Sequence, residues 1–446
     1  MPSATSRRKI RRNWYRHDIE GFCLYYFPHA FTKPLGDIHR KLLSVSGDEV
    51  HEVFRGAGKS TCLSAAIAHA CLYGWRKFIL IGSWTVGQAT EFVRRVRDDL
   101  DSNERIKEDF GDLRGGTWKE NHFVTSTGVT VRAAGVKTGV RGIISGYQRP
   151  DWLIVDDIED DERVQTAEQR NKLYARLTRT FFNLGEAGGD MWVSVIGTPL
   201  HRDCVLRRLK REGWKYTRTP AIREDGTPEW EAFSLEEYEK RKRKIGSVAA
   251  AQELDLVPAD ENAPAFQRDW FRYYSDETPD HWWRVLYVDP AIGQRESSDY
   301  FVAVAMAASP IGEKLELRVI DYFKGKLSAG EQVRRIAEMA RRSNVDECGV
   351  EAVAYQASLQ QLVDEECRRT GVYTHVVPIF NAKAKTLRIR KISPIVEFGD
   401  LLFDPEKHAE LIEHMCDWPA VSHDDDEDAV AGAVEMIRQT GRLDVE

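Results

Sequence analysis

The stretch Val53-Phe54-Arg55-Gly56-Ala57-Gly58-Lys59-Ser60-Thr61 constrains this chain more than any other. An extended segment from Glu49 to Phe54 runs into it, and an apolar helix follows from Ser60 to Tyr73, carrying Leu63, Ala66, Ile67, Ala70 and Cys71. Strand, glycine-rich turn and helix, in that order, is the setting in which backbone N–H groups and a helix N-terminus cradle nucleotide phosphates. On that reading Gly56, Ala57, Gly58, Lys59, Ser60 and Thr61 enclose the phosphates of a nucleotide, Lys59 reaches the β- and γ-phosphates, and the Ser60 hydroxyl takes Mg²⁺. Val53 stands where the usual pattern has its first glycine. An ordinary glycine turn before a helix is the competing reading.

A phosphate loop needs an acidic partner strand. Trp152-Leu153-Ile154-Val155-Asp156-Asp157-Ile158-Glu159 supplies one, an apolar run ending in acids. Asp156 is placed to hold Mg²⁺ through water and Asp157 to orient the attacking water, with Glu159 as the competitor for that second role. Between the two segments lie a buried strand at Phe78–Ser83, a helix with Ala89, Phe92, Val93 and Val96 at helical spacing, and a hairpin across Ser126-Thr127-Gly128. The Gly135–Gly142 loop then carries Arg141. A further strand, Met191–Gly197, ends in Thr198-Pro199; a polar residue at that tip can sense the γ-phosphate, and a plain strand-end turn is the alternative. Strand and helix alternate throughout, which argues an α/β unit with a mostly parallel sheet and a ligand at the carboxyl ends of its strands. Residues 14–43 are rich in aromatics, suited either to packing on adenine or to an ordinary core.

At 446 residues the chain exceeds one ordinary core, and two domains are expected. No apolar run is long enough to cross a bilayer, the first residues lack a signal-peptide pattern, and no membrane partner is expected. The seven cysteines show no ligand spacing, which suits reduced thiols in a cytosolic setting. A net charge of −7 does not announce a nucleic-acid binder, but basic clusters at Arg7–Arg12, Arg207–Arg211 and Lys240–Lys244 leave room for local patches. For the first of these, a solvated face or tail is the preferred reading.

From Pro220 to Pro264 the pattern loosens around a highly charged helix at Leu235–Ile245. This divides the chain into an entry segment (1–48), an ATPase core (49–220), a linker or subdomain (221–264) and a second domain (265–446). The second domain begins with three strands, Trp283–Asp289, Tyr300–Ala307 and Lys314–Tyr322. Helix, strand, helix, strand and helix follow, the order of an RNase H-like fold with a mixed sheet. Asp289 ends the first strand, Glu351 lies near the end of the strand after the first helix, and Asp424, Asp425 and Asp428 enter the last helix. The four-residue spacing of Asp424 and Asp428 puts them on one helical face. Carboxylates converging from separate elements hold two divalent ions, Mg²⁺ or Mn²⁺, for phosphodiester hydrolysis. An acidic helix start, favoured by the helix dipole, is the plainer account of the aspartates. Asp299 and His423 are lesser candidates, and Lys383, Lys385, Arg388 and Arg390 suit a DNA phosphate track or a solvated face.

In their order, FRGAGKST, RGIISGYQRPDWLIVDDIED, VIGTP, VDPAIG with SDY, GVEAVAYQ and HDDDEDA resemble the large terminase subunits of tailed bacteriophages. The resemblance covers the chain from about Trp14 onward. It implies an N-terminal packaging ATPase joined to a C-terminal RNase H-like endonuclease. Such a protein drives double-stranded DNA into a preformed capsid and cuts the concatemer. It further implies that Arg55 is the phosphate-loop arginine, that Arg141 acts across a subunit interface, and that Thr198 belongs to the coupling motif. By position after His423 it favours Asp424 as the third nuclease acid, with Asp425 and Asp428 left as possible metal ligands. The partners implied are a small terminase subunit, the portal protein and further copies in a ring, all in the cytoplasm of the infected host. A helicase or repair ATPase fused to a resolvase-like nuclease is the alternative; no further helicase motif appears before residue 264.

Overall fold

Eight strands form the first sheet: β1 (Glu49–Val53), β2 (Phe78–Ser83), β3 (Arg114–Trp118), β4 (His122–Thr125), β5 (Thr130–Gly135), β6 (Trp152–Asp156), β7 (Trp192–Gly197) and β8 (Lys215–Thr219). They are ordered β3-β4-β5-β2-β6-β7-β1-β8. The pairs from β5 to β8 are parallel, and only β3-β4 and β4-β5 are antiparallel. The continuous apolar runs of β2 and β6 are buried along their whole length, as a parallel sheet covered on both faces requires. The computed structural model describes residues 4–137, 143–145, 147–160, 164, 166–258, 263–291, 300–310, 312, 314–351, 357–380, 385–421 and 423–440.

The chain divides into two compact units, Met1–Lys242 with Val248–Glu261, and Arg243–Ser247 with Asn262–Glu446. In the first, helix Lys59–Tyr73 is buried on nearly every side, consistent with its small, apolar residues. The aromatic residues ahead of β1 pack on this helix: Phe22 meets His69 at 4.8 Å between ring centroids and Tyr73 at 6.4 Å. The N-terminal basic cluster is a helical face, Ala4–Tyr15, anchored by Arg11 on buried Asp109. Strands β3 and β8 carry little apolar signal in the sequence. Both are edge strands with partly exposed, polar residues.

The second unit has seven strands: β9 (Arg272–Tyr273), β10 (Trp283–Asp289), β11 (Phe301–Ala308), β12 (Leu317–Gly325), β13 (Glu347–Glu351), β14 (His375–Ile379) and β15 (Leu401–Phe403). Their order is β14-β13-β10-β11-β12-β15-β9, antiparallel across β10-β11-β12 and parallel elsewhere, so the sheet is mixed. Strand β12 starts later than the sequence pattern suggests, because Ser309 and Lys314 close the preceding turn through an Oγ–carbonyl bond of 3.0 Å. Alternate residues of β10 serve opposite cores. Leu286 and Val288 pack with helices Ala329–Arg342 and Ala357–Arg369. Val285 and Tyr287 face helices Lys385–Glu397, Ala409–Asp417 and Asp425–Gln439. No helix among the described residues is long and apolar enough to cross a membrane.

Candidate active sites

The order of the first sheet explains its site. Strand β7 lies between β1, which leads into the phosphate loop, and β6, which ends in the acids. The residue leaving β7, Thr198, therefore emerges between them. Lys59 Nζ donates to Thr198 Oγ1 at 2.7 Å, and that hydroxyl donates to the Val53 carbonyl at 2.9 Å. The Thr198 amide lies 3.4 Å from Asp157 Oδ1. Ser60 Oγ donates to Asp156 Oδ2 at 3.3 Å, while Asp156 Oδ1 is buried without a hydrogen-bond partner. An orphaned carboxylate oxygen beside a serine hydroxyl fits a hydrated Mg²⁺. Burial, reinforced by the Asp157 charge, raises the Asp156 carboxyl above its ordinary range, with Lys59 and Ser60 opposing.

The two candidates for the water-orienting acid sit differently. Asp157 is exposed and holds a positive φ of 39°, a strained conformation for a non-glycine residue at a strand tip. Glu159 is turned away: its Oε1 accepts from the Val205 amide at 2.9 Å, where helix Val205–Arg211 begins. Burial pushes the Glu159 carboxyl up to about 7.

In the loop itself, Gly56 and Gly58 take φ values of +90° and +77°, which L-residues with side chains rarely adopt. Arg55 is ion-paired with Glu253, a residue nearly two hundred positions away that nothing in the sequence links to the loop. Thr61 lines a cavity of about 260 Å³ together with Phe27, Phe31 and Arg95. Arg141 lies outside the described residues, as do Asp299 and Lys383. The three arginines of the basic cluster on helix Val205–Arg211 are ion-paired: Arg207 with buried Glu52, and Arg208 and Arg211 both with Asp203.

In the second unit, β10 and β13 are parallel neighbours with Val288 opposite Val350. Asp289 and Glu351, each one residue further on, therefore emerge side by side. The acid that completes the group is Asp428: oxygens of Asp289, Glu351 and Asp428 lie within 4.8 Å of one another. Asp424 instead forms the N-cap of the last helix, four residues earlier, where it is partly exposed and salt-bridged to Lys385 at 2.8 Å. Asp425 is also held by Lys385, at 2.7 Å. The preference for Asp424 follows from its position after His423; one helical turn of advance along the axis carries Asp428, not Asp424, over the strand ends.

Burial raises the Asp289 carboxyl, and the charges of Glu351, Asp425 and Asp428 add to this while Lys385 opposes it. Burial likewise pushes Asp428 up to about 7 against the pull of Arg388 and Lys385. Asp428 Oδ1 and Asp425 Oδ2 are buried without hydrogen-bond partners. A cluster of carboxylates in which Asp289 and Asp428 are raised and two oxygens are orphaned fits a hard divalent cation. Lys385 and Arg388, expected on a phosphate track or a solvated face, are instead turned onto these acids, Arg388 pairing with Asp428 and, at 3.5 Å, Glu351. His423 packs edge-on against Tyr300, 5.2 Å between ring centroids. Buried Asp426, between the candidate ligands in sequence, binds Tyr322 Oη at 2.6 Å and pairs with Lys324, fixing the start of the helix.

Residues 286–436 match the family model described as the terminase RNaseH-like domain. The large terminase of a thermophilic bacteriophage, solved with ATP-γ-S, is similar in fold with a TM-score of 0.53 at 13% identity, covering 89% of this chain and 98% of that one. Its ADP complex gives a TM-score of 0.49 at 13% identity, over 89% of this chain and 94% of that chain. The HK97 bacteriophage large terminase gives 0.35 at 12% identity, over 86% and 88%. No curated protein matches the chain in sequence.

Proposed function

From a second unit that carries the terminase RNase H-like domain and a first unit built around a phosphate loop, we propose that this chain is the ATP-hydrolysing, DNA-cutting subunit of a viral genome-packaging motor. The observation that carries the reading is the pairing of two complete constellations on one chain: Lys59, Ser60, Asp156 and Thr198 in one unit, and Asp289, Glu351 and Asp428 in the other.

In the first site the backbone amides from Gly56 to Thr61 bind the phosphates of ATP, with Arg55 released from Glu253 to join them. Lys59 exchanges its Thr198 contact for phosphate oxygens. Ser60 and Asp156 would hold Mg²⁺, which neutralises charge on the transferring phosphoryl group. Asp157, exposed and hydrogen-bonded to the Thr198 amide, orients the attacking water, and Thr198 links that acid to the loop lysine. The base lies in the cavity beside Thr61 and Phe27. In an assembled ring, Arg141 of each subunit serves its neighbour's site, and the small terminase subunit and the portal protein bring DNA to the motor in the host cytoplasm.

In the second site Asp289, Glu351 and Asp428 would hold one or two Mg²⁺ or Mn²⁺ ions, which when bound would supply activation of water and stabilisation of the leaving oxygen of a phosphodiester. Asp425, buried beside them and held by Lys385, is a further candidate ligand. Lys385 and Arg388 neutralise the acids until cations and DNA bind. The test is a paired assay of DNA-stimulated ATP hydrolysis and Mn²⁺-dependent plasmid cutting. Lys59→Ala removes the first and spares the second; Asp289→Ala does the reverse. Cutting that survives Asp289→Ala would falsify the nuclease assignment.

A further inference from the structure

The phosphate loop has a neighbour that its own sequence does not announce. Arg241 lies on helix Leu235–Ile245, and its Nη1 donates to the Arg55 carbonyl at 2.8 Å. The guanidinium comes so close to Gly56 that a β-carbon built there would fall 2.5 Å from Nη1. Glycine at position 56 is called for by its φ of +90°, and its bare backbone leaves room for the tip of the Arg241 side chain. Phe233 lies under the guanidinium, 5.7 Å from ring centroid to Cζ, and packs in turn on Phe54 at 5.3 Å. Tyr238, one turn earlier on the same helix, ties it down through bonds of 2.9 and 3.0 Å to Asp255. The helix has no buried residue, so these polar ties and Phe233, rather than an apolar face, hold it at the loop.

We infer that Arg241 is a positioning residue for nucleotide binding, acting through the peptide that joins Arg55 to Gly56. That peptide is a rigid plane in which the carbonyl and the following N–H point in opposite directions. Pinning the Arg55 carbonyl on Arg241 therefore fixes the Gly56 N–H on the far side, as a donor already aimed for an anion. The bond is charge-assisted, which makes it strong enough to hold a glycine-rich turn that would otherwise sample many conformations. Among the described residues no carboxylate pairs with Arg241, in contrast to Arg55, so nothing competes for its donors.

The inference rests on the reading of this loop as an ATP site, and the experiment separates the two. ADP and ATP-γ-S affinities and the kcat and KM of ATP hydrolysis are measured on the full chain, wild type against Arg241→Ala, Arg241→Lys, Lys240→Ala and Lys59→Ala. Arg241→Ala is expected to weaken both nucleotides and raise KM by about tenfold, the effect of losing one charge-assisted hydrogen bond, with kcat changed by less than about threefold. Arg241→Lys restores most of the loss, and Lys240→Ala, on an exposed neighbour, changes nothing. The deficit of Arg241→Ala persists from low to high salt, because a fixed peptide, unlike a distant charge, is not screened. Hydrogen exchange at the loop amides of the nucleotide-free protein rises in Arg241→Ala. An unchanged KM in Arg241→Ala, or a deficit that vanishes in high salt, overturns the inference. If the wild type binds no nucleotide, or Lys59→Ala binds as the wild type does, the ATP site itself is wrong.

Discussion

Lys59 Nζ and Thr198 Oγ1 are 2.7 Å apart although 139 residues separate them in the chain. The contact exists because β7 is inserted between the loop strand and the acid strand, so its tip reaches the lysine on one side and Asp157 on the other. Thr198→Val keeps the shape and removes the hydroxyl. A hydrogen bond to a charged group is worth about 1.5–3 kcal/mol. If that bond matters only as Lys59 and Asp157 are brought into register, kcat for ATP falls by about ten- to a hundredfold while KM stays within about threefold. Steady-state ATPase assays check this, and a variant with wild-type kcat would remove Thr198 from the coupling role.

The three aspartates at the last helix should separate cleanly in a cutting assay. Asp428 lies with Asp289 and Glu351, and its Oδ1 is buried and unpartnered. Asp424 is a partly exposed N-cap bridged to Lys385. Asp428→Asn is expected to lower Mn²⁺-dependent cutting by at least about a hundredfold, the usual scale for a lost metal-site carboxylate or its orienting partner. Asp424→Asn is expected to stay within about fivefold, a loss of the size seen when one partner of a partly exposed ion pair is removed. Equal damage from both variants, measured with plasmid cutting and Mn²⁺ calorimetry, would return Asp424 to the site.

What the sequence could and could not reveal follows from the range of the interactions. The apolar runs, the phosphate loop and the acid strand are local patterns, and apart from the later start of β12 each appears as a strand or turn where the residues indicate one. The RNase H-like order of the second half is legible for the same reason. The choice among Asp424, Asp425 and Asp428 is not local. It depends on how the last helix is rotated and seated on β10, which Gly432 and the Asp426–Lys324 pair decide. The ties of Glu253 to Arg55 and of Arg241 to the loop join positions nearly two hundred residues apart, Arg241 on a highly charged helix and Glu253 at the end of a short alanine-rich one, and neither stretch carries a local sign of the loop it meets. Lys385 and Arg388 resemble a DNA track because basic residues in sequence carry no mark of the acids they face.

Glu159 supplies a test by pH. Its carboxyl is pushed by burial from 4.5 to about 7, so the folded protein holds this proton more tightly than the unfolded chain does. The stability associated with the neutral acid is therefore complete below pH 4.5 and declines as pH rises to about 7. The slope cannot exceed about 1.4 kcal/mol per pH unit, and partial solvent access brings it below that. Glu159→Gln cannot ionise and still offers an oxygen to the Val205 amide. Relative to wild type, the variant's urea midpoint should rise steadily between pH 5 and 7.5 and then level off. A difference that does not change with pH would mean that Glu159 is ionised in the folded protein.

The most demanding prediction concerns a residue with no polar atom in its side chain. Gly432 lies in the middle of helix Asp425–Gln439, where glycine is otherwise unfavourable by about 1 kcal/mol. Its presence is explained by Tyr287 on β10: a β-carbon at position 432 would sit 2.3 Å from two ring atoms of that fully buried tyrosine. The glycine lets the helix backbone lie directly on the ring, and Asp428 is one turn before it on the same helix. Gly432→Ala gains helix propensity but must push the helix off the strand. Overpacking of this kind costs about 1–3 kcal/mol, which exceeds the propensity gain. The displaced helix carries Asp428 away from Asp289 and Glu351, so cutting and Mn²⁺ affinity should fall by about tenfold or more, a response that small misplacements of reacting groups produce. ATP hydrolysis, in the other unit, should be unchanged. The double variant Gly432→Ala with Tyr287→Leu clears the space at the ring and should recover part of the Mn²⁺ affinity. If Gly432→Ala alone melts and cuts like the wild type, the seating of the last helix on Tyr287 does not set the position of Asp428.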